Sequence, residues 1–193
     1  MIELLLTYKY FILFPLAMIE GPFVMMISGL LVKTGQLDFV PTYILLMTGD
    51  LTGDMGWYGV GYLWGMPFVR KFGKFFNVTE ENVEKVRSIF HRYNATIIFL
   101  SKITMGLGFA LANLITAGLS KIPFKRFVFW NALGGLLWTA GLMAIGFSLG
   151  NFYLKLNGIF GLMSTFASFV IVFIILMNMA KYVRNKVMNK NSL

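Results

Sequence analysis

The chain has 193 residues, 58% of them hydrophobic and 13% charged, with a net charge of +9, no cysteine and one histidine. Soluble domains are about 45–50% apolar and about 25% charged, so this composition excludes a soluble globular protein and indicates a single-domain integral membrane protein. The cysteine and histidine counts predict no metal site and no cofactor, and the positive-inside rule explains the charge without a nucleic-acid partner.

The first hydrophobic segment covers residues 4–32 and is interrupted near its centre by Glu20, Gly21 and Pro22. Proline disfavours helix at the residue before it, so we predict two half-helices of about 15 and about 10 residues that meet at Glu20. They would form a re-entrant hairpin with Gly21 and Pro22 at its hinge. The alternative for Glu20 is a hairpin tip that only reaches interfacial water.

The second segment, residues 40–66, is a predicted transmembrane helix with two aspartates in its middle. From a start near Pro41, Asp50 lies about 13 Å and Asp54 about 20 Å along a helix that crosses about 30 Å of hydrocarbon. A lone carboxylate there costs several kcal/mol unless it is protonated, paired or hydrated. The i,i+4 spacing puts both aspartates on one face, which we interpret as the wall of a polar site.

Small residues on the same helix predict close packing against another helix. Residues of this size at four-residue spacing let two backbones approach each other. Tyr58 follows Asp54 by four residues and so continues the helix face of the two aspartates. The small residues of this predicted packing motif are Gly49, Gly53, Gly61 and Gly65.

The loop 67–94 contains a predicted amphipathic helix that begins after Thr79. Glutamates follow in the first turn, where they suit the helix dipole, and Val83 and Val86 start an apolar stripe. We expect this helix to lie at the membrane interface. A plain solvated connector is the alternative.

The third segment, residues 95–119, is the second predicted re-entrant hairpin. Lys102 lies inside it, and Gly106 and Gly108 provide a flexible hinge. Non-helical backbone at membrane depth is tolerated only next to protein or a water-filled cavity, so two broken segments predict a shared polar cavity. The remaining predicted elements are two transmembrane helices and a basic tail, at residues 127–150, 158–180 and 181–193.

The distribution of lysine and arginine supports this topology. If all five segments cross the membrane, the two sides carry eight basic residues each; if 95–119 re-enters, the split is 14 to 2. The split is 13 to 3 if 4–32 re-enters as well, so charge alone does not decide the first segment. We expect the large basic loop and the C-terminus on the cytoplasmic side of the inner (plasma) membrane.

The two halves of the chain resemble each other. Ser28-Gly29-Leu30 ends the first hairpin and Ala117-Gly118-Leu119 ends the second, each shortly before a proline and the next helix. A hairpin followed by a span, repeated from opposite faces, is the inverted-repeat plan of secondary transporters. The predicted fold is therefore an all-α membrane protein with two re-entrant hairpins, about three transmembrane helices and an amphipathic helix.

Four ionisable side chains lie well inside the apolar segments: Glu20, Asp50, Asp54 and Lys102. Such residues mark ion paths, proton relays or head-group sites. The structural alternative is a buried pair of Lys102 with an aspartate that only fixes the packing. The chain has no HExxH or GxSxG motif, so we predict that it is not an enzyme and has no catalytic residues.

An ordered series of motifs extends over about residues 10–150. It starts with Glu20-Gly21-Pro22 and Ser28-Gly29, and it continues through Gly49-Asp50, Gly53-Asp54, Tyr58, Gly61 and Gly65. Its second half comprises Phe90-His91-Arg92, Ala117-Gly118, Pro123 to Phe127 with Arg126, Asn131, Gly134 and Trp138. This series resembles the DedA family, a branch of the SNARE-associated Golgi or VTT-domain proteins.

The chain departs from that family in the second hairpin. The family usually has Arg-Phe-x-Pro-Gly-x-Arg there, whereas this chain has lysine at 102 and lacks the proline and the second arginine. A lysine cannot offer a phosphate the bidentate fork of arginine, although it still supplies a point charge.

The resemblance implies two facing re-entrant hairpins, a cavity within the membrane and lipid translocation. In bacteria it implies a link to undecaprenyl phosphate or other phospholipids, and to the proton motive force. Our leading hypothesis is thus a flippase or scramblase, with Glu20, Asp50 and Asp54 as the acidic, proton-responsive side and Lys102 as the head-group or counter-ion side. A proton-coupled exchanger of small ions or solutes, a structural membrane protein and a homo-oligomeric state are left open.

Overall fold

The computed structural model describes residues 2–73, 78–93, 96–103 and 110–155, together with residues 171, 174, 175 and 178. Within these ranges the chain is helical apart from short turns and contains no strand. The helices are α1 (Ile2–Ile19), α2 (Gly21–Lys33), α3 (Phe39–Phe72), α4 (Glu80–Tyr93), α5 (Thr96–Ile103), α6 (Ala110–Leu119) and α7 (Phe124–Lys155).

The predicted break in the first segment is confirmed. Glu20 has φ −134° and ψ 63°, outside the helical region, and Pro22 stands in the first turn of α2, where its missing N–H breaks no helical hydrogen bond. After the break the chain returns along α1. The Lys9 ammonium donates to the Gln36 carbonyl at 2.7 Å, so the end of α2 lies beside the middle of α1 and the two helices form a hairpin.

The helices divide into two compact units. Unit 1 comprises residues 1–53 and 136–174, and unit 2 comprises residues 54–135 and 175–193. Helices α3 and α7 each supply residues to both units.

In unit 1, α2 packs closely along α7. A Cβ atom at Gly29 would collide with the backbone oxygen of Met143, and a Cβ at Gly146 would collide with that of Met26. Lys33 contacts Gly150 further along, so the two helices run in the same direction. We call the four residues Met26, Gly29, Met143 and Gly146 the α2–α7 seam.

Unit 2 contains the equivalent arrangement between α6 and α3. A Cβ at Gly118 would collide with the backbone oxygen of Tyr58, and a Cβ at Gly61 with that of Ile115. We call these four residues the α6–α3 seam. The glycines act here through their size, because any side chain would push the two backbones apart.

The two seams have the same register: α2 corresponds to α6, and α7, the partner of α2, corresponds to α3, the partner of α6. Adding 85 to the numbers of Tyr58 and Gly61 on α3 gives Met143 and Gly146 on α7, and the two α2 residues of the first seam lie 89 positions before their α6 counterparts. The first arms of the hairpins follow the same rule: Gly49 meets the Phe14 oxygen of α1, and Gly134 meets the Phe99 oxygen of α5. This contact pattern agrees with the predicted repeat. The opposed orientation in a membrane stays a prediction.

Helix α3 is bent near its end, close to the predicted boundary at residue 66. Gly65 has φ +53° and ψ −137°, a conformation that only glycine adopts readily, and Pro67 follows. The bent final turns carry Val69, which packs in one apolar cluster with Val78 and Val83.

The predicted amphipathic helix is present as α4, and two residues of its apolar stripe, Val83 and Val86, are buried. The stripe packs within unit 2, against clusters that include Ile115 and Ala117 of α6. The described part of this face therefore packs against the protein, and the position of the helix at the membrane interface stays a prediction. The local sequence predicted the helix, but which residues its apolar face packs against depends on the tertiary structure.

Part of the prediction lies outside the described residues: the hinge glycines Gly106 and Gly108, most of the span 158–180 and the tail 181–193. Among the described residues, Phe124–Gly150 is a stretch of 27 residues that is long and apolar enough to cross a membrane by length and composition. Two further apolar helical stretches, Tyr8–Ile19 and Gly21–Lys33, are shorter.

Candidate functional site

An ion pair between Lys102 and Asp54 forms the centre of the candidate site in unit 2. Asp54 stands on α3, and Lys102 is in the last turn of α5, where a cation suits the helix dipole. Their side chains are each 12% exposed, and the Lys102 ammonium contacts Oδ2 of Asp54. The pair is therefore largely removed from solvent, where loss of either partner would leave a costly charge.

Asn131 of α7 completes what we call the polar cluster, together with Asp54 and Lys102. Its amide Nδ2 donates to the same Asp54 Oδ2 at 2.7 Å. The residue is 1% exposed, and its Oδ1 has no hydrogen-bond partner among the residues that the structure describes. In this cluster, one carboxylate oxygen of Asp54 contacts both Lys102 and Asn131. The amide oxygen of Asn131 is a buried acceptor that has no donor among the described residues.

The stem of Lys102 reaches Asp54 along the surface of α7. A Cβ atom at Gly134 would lie 2.8 Å from Lys102 Cβ and 3.1 Å from its Cγ, so glycine at this position leaves room for the lysine. Phe99 of α5 meets Trp130 of α7 edge to face, with ring centroids 6.3 Å apart. These contacts hold α5 against α7 and direct the ammonium group toward α3.

Tyr58, one helical turn after Asp54, has a structural role. Its hydroxyl donates to the Ile122 carbonyl at 2.6 Å, and its ring stacks on Phe127 at 4.5 Å between centroids. The residue is buried in an apolar cluster with Phe127 and Ala117. It anchors the turn between α6 and α7 on α3, next to the polar cluster.

In unit 1, Asp50 lies against the hairpin break. A Cβ atom at Gly21 would be 2.9 Å from Asp50 Oδ1, so the carboxylate approaches the backbone directly after Glu20. Glu20 itself is exposed. Unit 1 also buries the hydroxyls of Ser28 and Thr139 without a hydrogen-bond partner among the described residues.

The structure thus brings together Asp54 and Lys102 in one unit and Asp50 and Gly21 in the other. Of the remaining predicted motif residues, Arg126 is exposed at the start of α7 and Trp138 is half-buried on the same helix. Arg92 belongs to α4, and its side chain lies outside the described part of the chain.

Sequence reasoning named Asn131 only as a motif residue and missed its contact with Asp54. An asparagine within an apolar helix was the available signal, but nothing in the spacing connects positions 77 residues apart. Among the described residues, no group of histidine, cysteine, aspartate or glutamate could hold a metal ion.

Comparison with known proteins gives consistent matches. The family model of the VTT domain matches residues 18–148. Undecaprenyl phosphate transporter A of Bacillus subtilis is 24% identical over 147 residues, which cover 76% of this chain and 73% of the relative. Inner membrane protein YghB of Escherichia coli is 28% identical over 138 residues, which cover 71% of this chain and 61% of the relative.

The uncharacterized membrane protein slr0232 of Synechocystis is 25% identical over 132 residues, 68% of this chain and 60% of the relative. The matched region therefore spans about 60% of the length of YghB and slr0232. No solved structure matches the chain. The relatives named here are described as a transporter or as membrane proteins, and none carries the name of an enzyme.

Proposed function

The chain belongs to the VTT-domain family of membrane proteins, which also contains the DedA proteins, and on that premise we propose that it transports a phosphate-bearing lipid across the cytoplasmic membrane. The transported lipid is undecaprenyl phosphate or another phospholipid. The protein acts as a flippase or scramblase, with the large basic loop and the C-terminus on the cytoplasmic side.

The observation that carries the proposal is the polar cluster. Asp54, Lys102 and Asn131 form a largely buried polar group on helices that are predominantly apolar. A packing contact between such helices needs no charge, and a buried ion pair is weak support for stability, since apolar side chains would do as well. Ionisable groups at such positions mark transport sites by default.

In the proposed mechanism, Lys102 provides the positive charge for the lipid phosphate. It is paired with Asp54 in the structure, so the phosphate must take the ammonium from the carboxylate. Protonation of an acidic residue would make that exchange easier, because a neutral Asp54 no longer holds the lysine. Glu20 and Asp50, at the break of the first hairpin, are the further candidates for proton coupling.

The name of the Bacillus subtilis relative supports a lipid phosphate as cargo. That relative is 24% identical to this chain, so a shared substrate is part of our proposal. An exchanger of small ions or solutes is the competing transporter function, and the same polar cluster would serve it. Lipid translocation in proteoliposomes separates the two functions.

The test is lipid translocation by the full chain in proteoliposomes, with labelled phospholipid and a polyprenyl phosphate, with and without a pH gradient. Lys102→Ala and Glu20→Gln are run beside the wild type. Lys125→Ala is the matched control, because this lysine is exposed at the start of α7. We expect lipid movement that Lys102→Ala abolishes and Lys125→Ala leaves intact.

Folding is checked for every variant by size-exclusion chromatography and thermal unfolding. Folded wild-type protein that moves neither lipid would overturn the proposal. Flux of a water-soluble ion without lipid movement would favour the exchanger. Full lipid transport by Lys102→Ala would leave transport in place but remove the polar cluster from the mechanism.

A further inference from the structure

The start of α2 has backbone N–H groups that its own helix does not satisfy. The Val24 N–H donates to the Glu20 carbonyl at 3.3 Å, which opens the hydrogen-bond ladder of α2. The N–H groups of Gly21 and Phe23 precede this ladder, and Pro22 has none. Glu20 is the N-cap residue, but its side chain makes no capping hydrogen bond. A helix start inside an apolar segment therefore needs an acceptor from another element.

Asp50 of α3 offers an acceptor at this point. A Cβ atom at Gly21 would lie 2.9 Å from Asp50 Oδ1 and 3.7 Å from its Cγ, so the carboxylate stands against the first residue of α2. A carboxylate is favourable there, because unsatisfied N–H groups and aligned peptide dipoles give a helix N-terminus a partial positive charge. Aspartate and asparagine are also among the best N-capping side chains.

The neighbouring glycines of α3 set Asp50 at this level. A Cβ atom at Gly49 would lie 2.7 Å from the Phe14 oxygen, and a Cβ atom at Gly53 would lie 2.6 Å from the Met18 oxygen. Helix α3 is thus packed backbone to backbone along the end of α1. Asp50 lies between these two contacts in the chain, so the packing of α3 on α1 directs its carboxylate to the break.

Gly21 is needed here for its size. It belongs to the helical part of α2, and its φ is not positive, so the position does not require the backbone freedom of glycine. A Cβ atom at 2.9 Å from a carboxylate oxygen would be too close, so any side chain at this position would push Asp50 away from α2. The glycine and the aspartate thus form one contact.

We propose that Asp50 is a positioning residue, which caps the N-terminus of α2 from the neighbouring helix and holds the break of the first hairpin in place. Its carboxylate accepts hydrogen bonds from the first N–H groups of α2 and keeps its charge during transport. Of the two acids at the break, Glu20 is then the one that takes up and releases a proton. This second part rests on the proposed lipid transport, whereas the cap is tested without transport.

Hydrogen–deuterium exchange of the full chain in detergent tests the cap directly. Asp50→Asn keeps an acceptor of the same shape, whereas Asp50→Leu has none. Gly21→Ala leaves the aspartate intact but forces its carboxylate away from α2. We expect the amides at the start of α2 to exchange about two- to thirtyfold faster in Asp50→Leu and in Gly21→Ala, the factor that corresponds to loss of an N-cap. Asp50→Asn should exchange as the wild type does.

Gly141→Ala is the matched control, because nothing lies within 4 Å of a Cβ atom at this position of α7. The amides of α4, which belongs to unit 2, report a general loss of stability and should not change in any variant. Gly21→Ala tests the cap even if Asp50→Leu does not fold. Unchanged exchange at the start of α2 in Gly21→Ala, faster exchange in α4 as well, or equal exchange in Asp50→Asn and Asp50→Leu would each overturn the cap.

Translocation in proteoliposomes separates a cap from a proton carrier. Asparagine cannot take up a proton, so Asp50→Asn should move a labelled phospholipid or a polyprenyl phosphate at the wild-type rate and keep the wild-type response to a pH gradient. Asp50→Leu should be slower by about tenfold, the factor that a capping loss of about 1.4 kcal/mol gives. Loss of the gradient response in Asp50→Asn, with the start of α2 still protected from exchange, would make Asp50 a proton carrier and overturn the inference.

The two measurements keep the possible failures apart. Lipid movement by the wild type that does not respond to a pH gradient would overturn the assignment of the proton to Glu20 and leave the cap in place. Absence of lipid movement by folded wild-type protein would overturn the proposed function, while the exchange data would still decide the cap.

Discussion

Units 1 and 2 share one packing frame but differ in what the frame holds. Both have a seam in which two parallel helices meet at glycines in the same register, Gly29 with Gly146 and Gly118 with Gly61. Lys102 of unit 2 lies 85 positions after its counterpart in unit 1. That counterpart is Ala17, which is buried, with 1% of its surface exposed.

The same offset relates the other members of the polar cluster to unit 1. Asp54 corresponds to Thr139, which is buried, and Asn131 corresponds to Leu46, which is also buried. A frame repeated twice therefore carries an ion pair in one copy and small or apolar side chains in the other. The difference teaches that the two units share their glycine packing, while each carries its own polar residues: Asp54, Lys102 and Asn131 in unit 2, and Asp50 in unit 1.

The largest expected effect follows from breaking the ion pair between Lys102 and Asp54 in unit 2. Lys102→Met leaves Asp54 largely buried without its cation, so we expect a loss of about 3–5 kcal/mol in the free energy of unfolding. Adding Asp54→Asn should restore most of it. Thermal unfolding in detergent measures both, with Lys125→Met, an exposed lysine, as control. Wild-type stability of Lys102→Met would show that the folded protein tolerates Asp54 without this cation.

The next effect tests whether the two seams are equivalent. Gly29→Ala and Gly118→Ala each force a methyl group against a backbone oxygen, so each should cost about 1–3 kcal/mol, as overpacking does. Gly141→Ala and Gly56→Ala are matched controls on α7 and α3, because nothing lies within 4 Å of a Cβ at either position.

The controls should be neutral or stabilising by up to about 1 kcal/mol, since alanine is the better helix former. The comparison is read from the midpoints of thermal unfolding in one detergent. If Gly118→Ala is destabilising and Gly29→Ala is not, the shared frame is wrong for unit 1.

A smaller effect of opposite sign is expected in unit 1. Thr139 buries a hydroxyl that has no partner among the described residues, and Thr139→Val replaces it with a methyl group of similar size. Because an unsatisfied buried polar group is costly, the variant should be more stable by about 1 kcal/mol. Differential scanning calorimetry measures the shift. A loss of stability would mean that the hydroxyl does hold a donor or acceptor.

The smallest effect concerns the exposed ion pair at the end of α3. Arg70 Nε lies 3.2 Å from Glu80 Oε1, with side chains 68% and 52% exposed. An exposed pair contributes about 0–1 kcal/mol and is screened by salt. A double-mutant cycle of Arg70→Ala and Glu80→Ala should therefore give a coupling below about 1 kcal/mol that falls as ionic strength rises. A coupling energy well above about 1 kcal/mol would mean that this exposed pair contributes as strongly as a buried one.

Much of the frame could be predicted from local sequence. The break at Glu20 follows from the adjacent Pro22, and the end of the straight part of α3 follows from Gly65 and Pro67, because proline and glycine act on their own backbone. The two valines of the α4 stripe follow from helical spacing. Each of these signals is contained in a few neighbouring residues.

The contacts of the site could not be predicted in the same way. A pair of Lys102 with an aspartate was one alternative from the sequence, but the sequence did not distinguish Asp50 from Asp54, which share a helix face. The choice of Asp54, and the bond from Asn131 to it, depend on how α5 and α7 are set against α3. That setting results from close approaches such as Gly134 to Lys102, which no local pattern encodes.

The unequal offsets of the repeat have a consequence for length variation in this protein. Glu20 alone separates α1 from α2, whereas α5 ends at Ile103 and α6 begins at Ala110. The second connection is thus longer, and the offset grows from 85 to 89 across it. The two arms of unit 2 each make their own close contact, α5 at Gly134 and α6 at Gly61 and Gly118, so a change in the number of residues between Ile103 and Ala110 alters the offset of the repeat and leaves both contacts available.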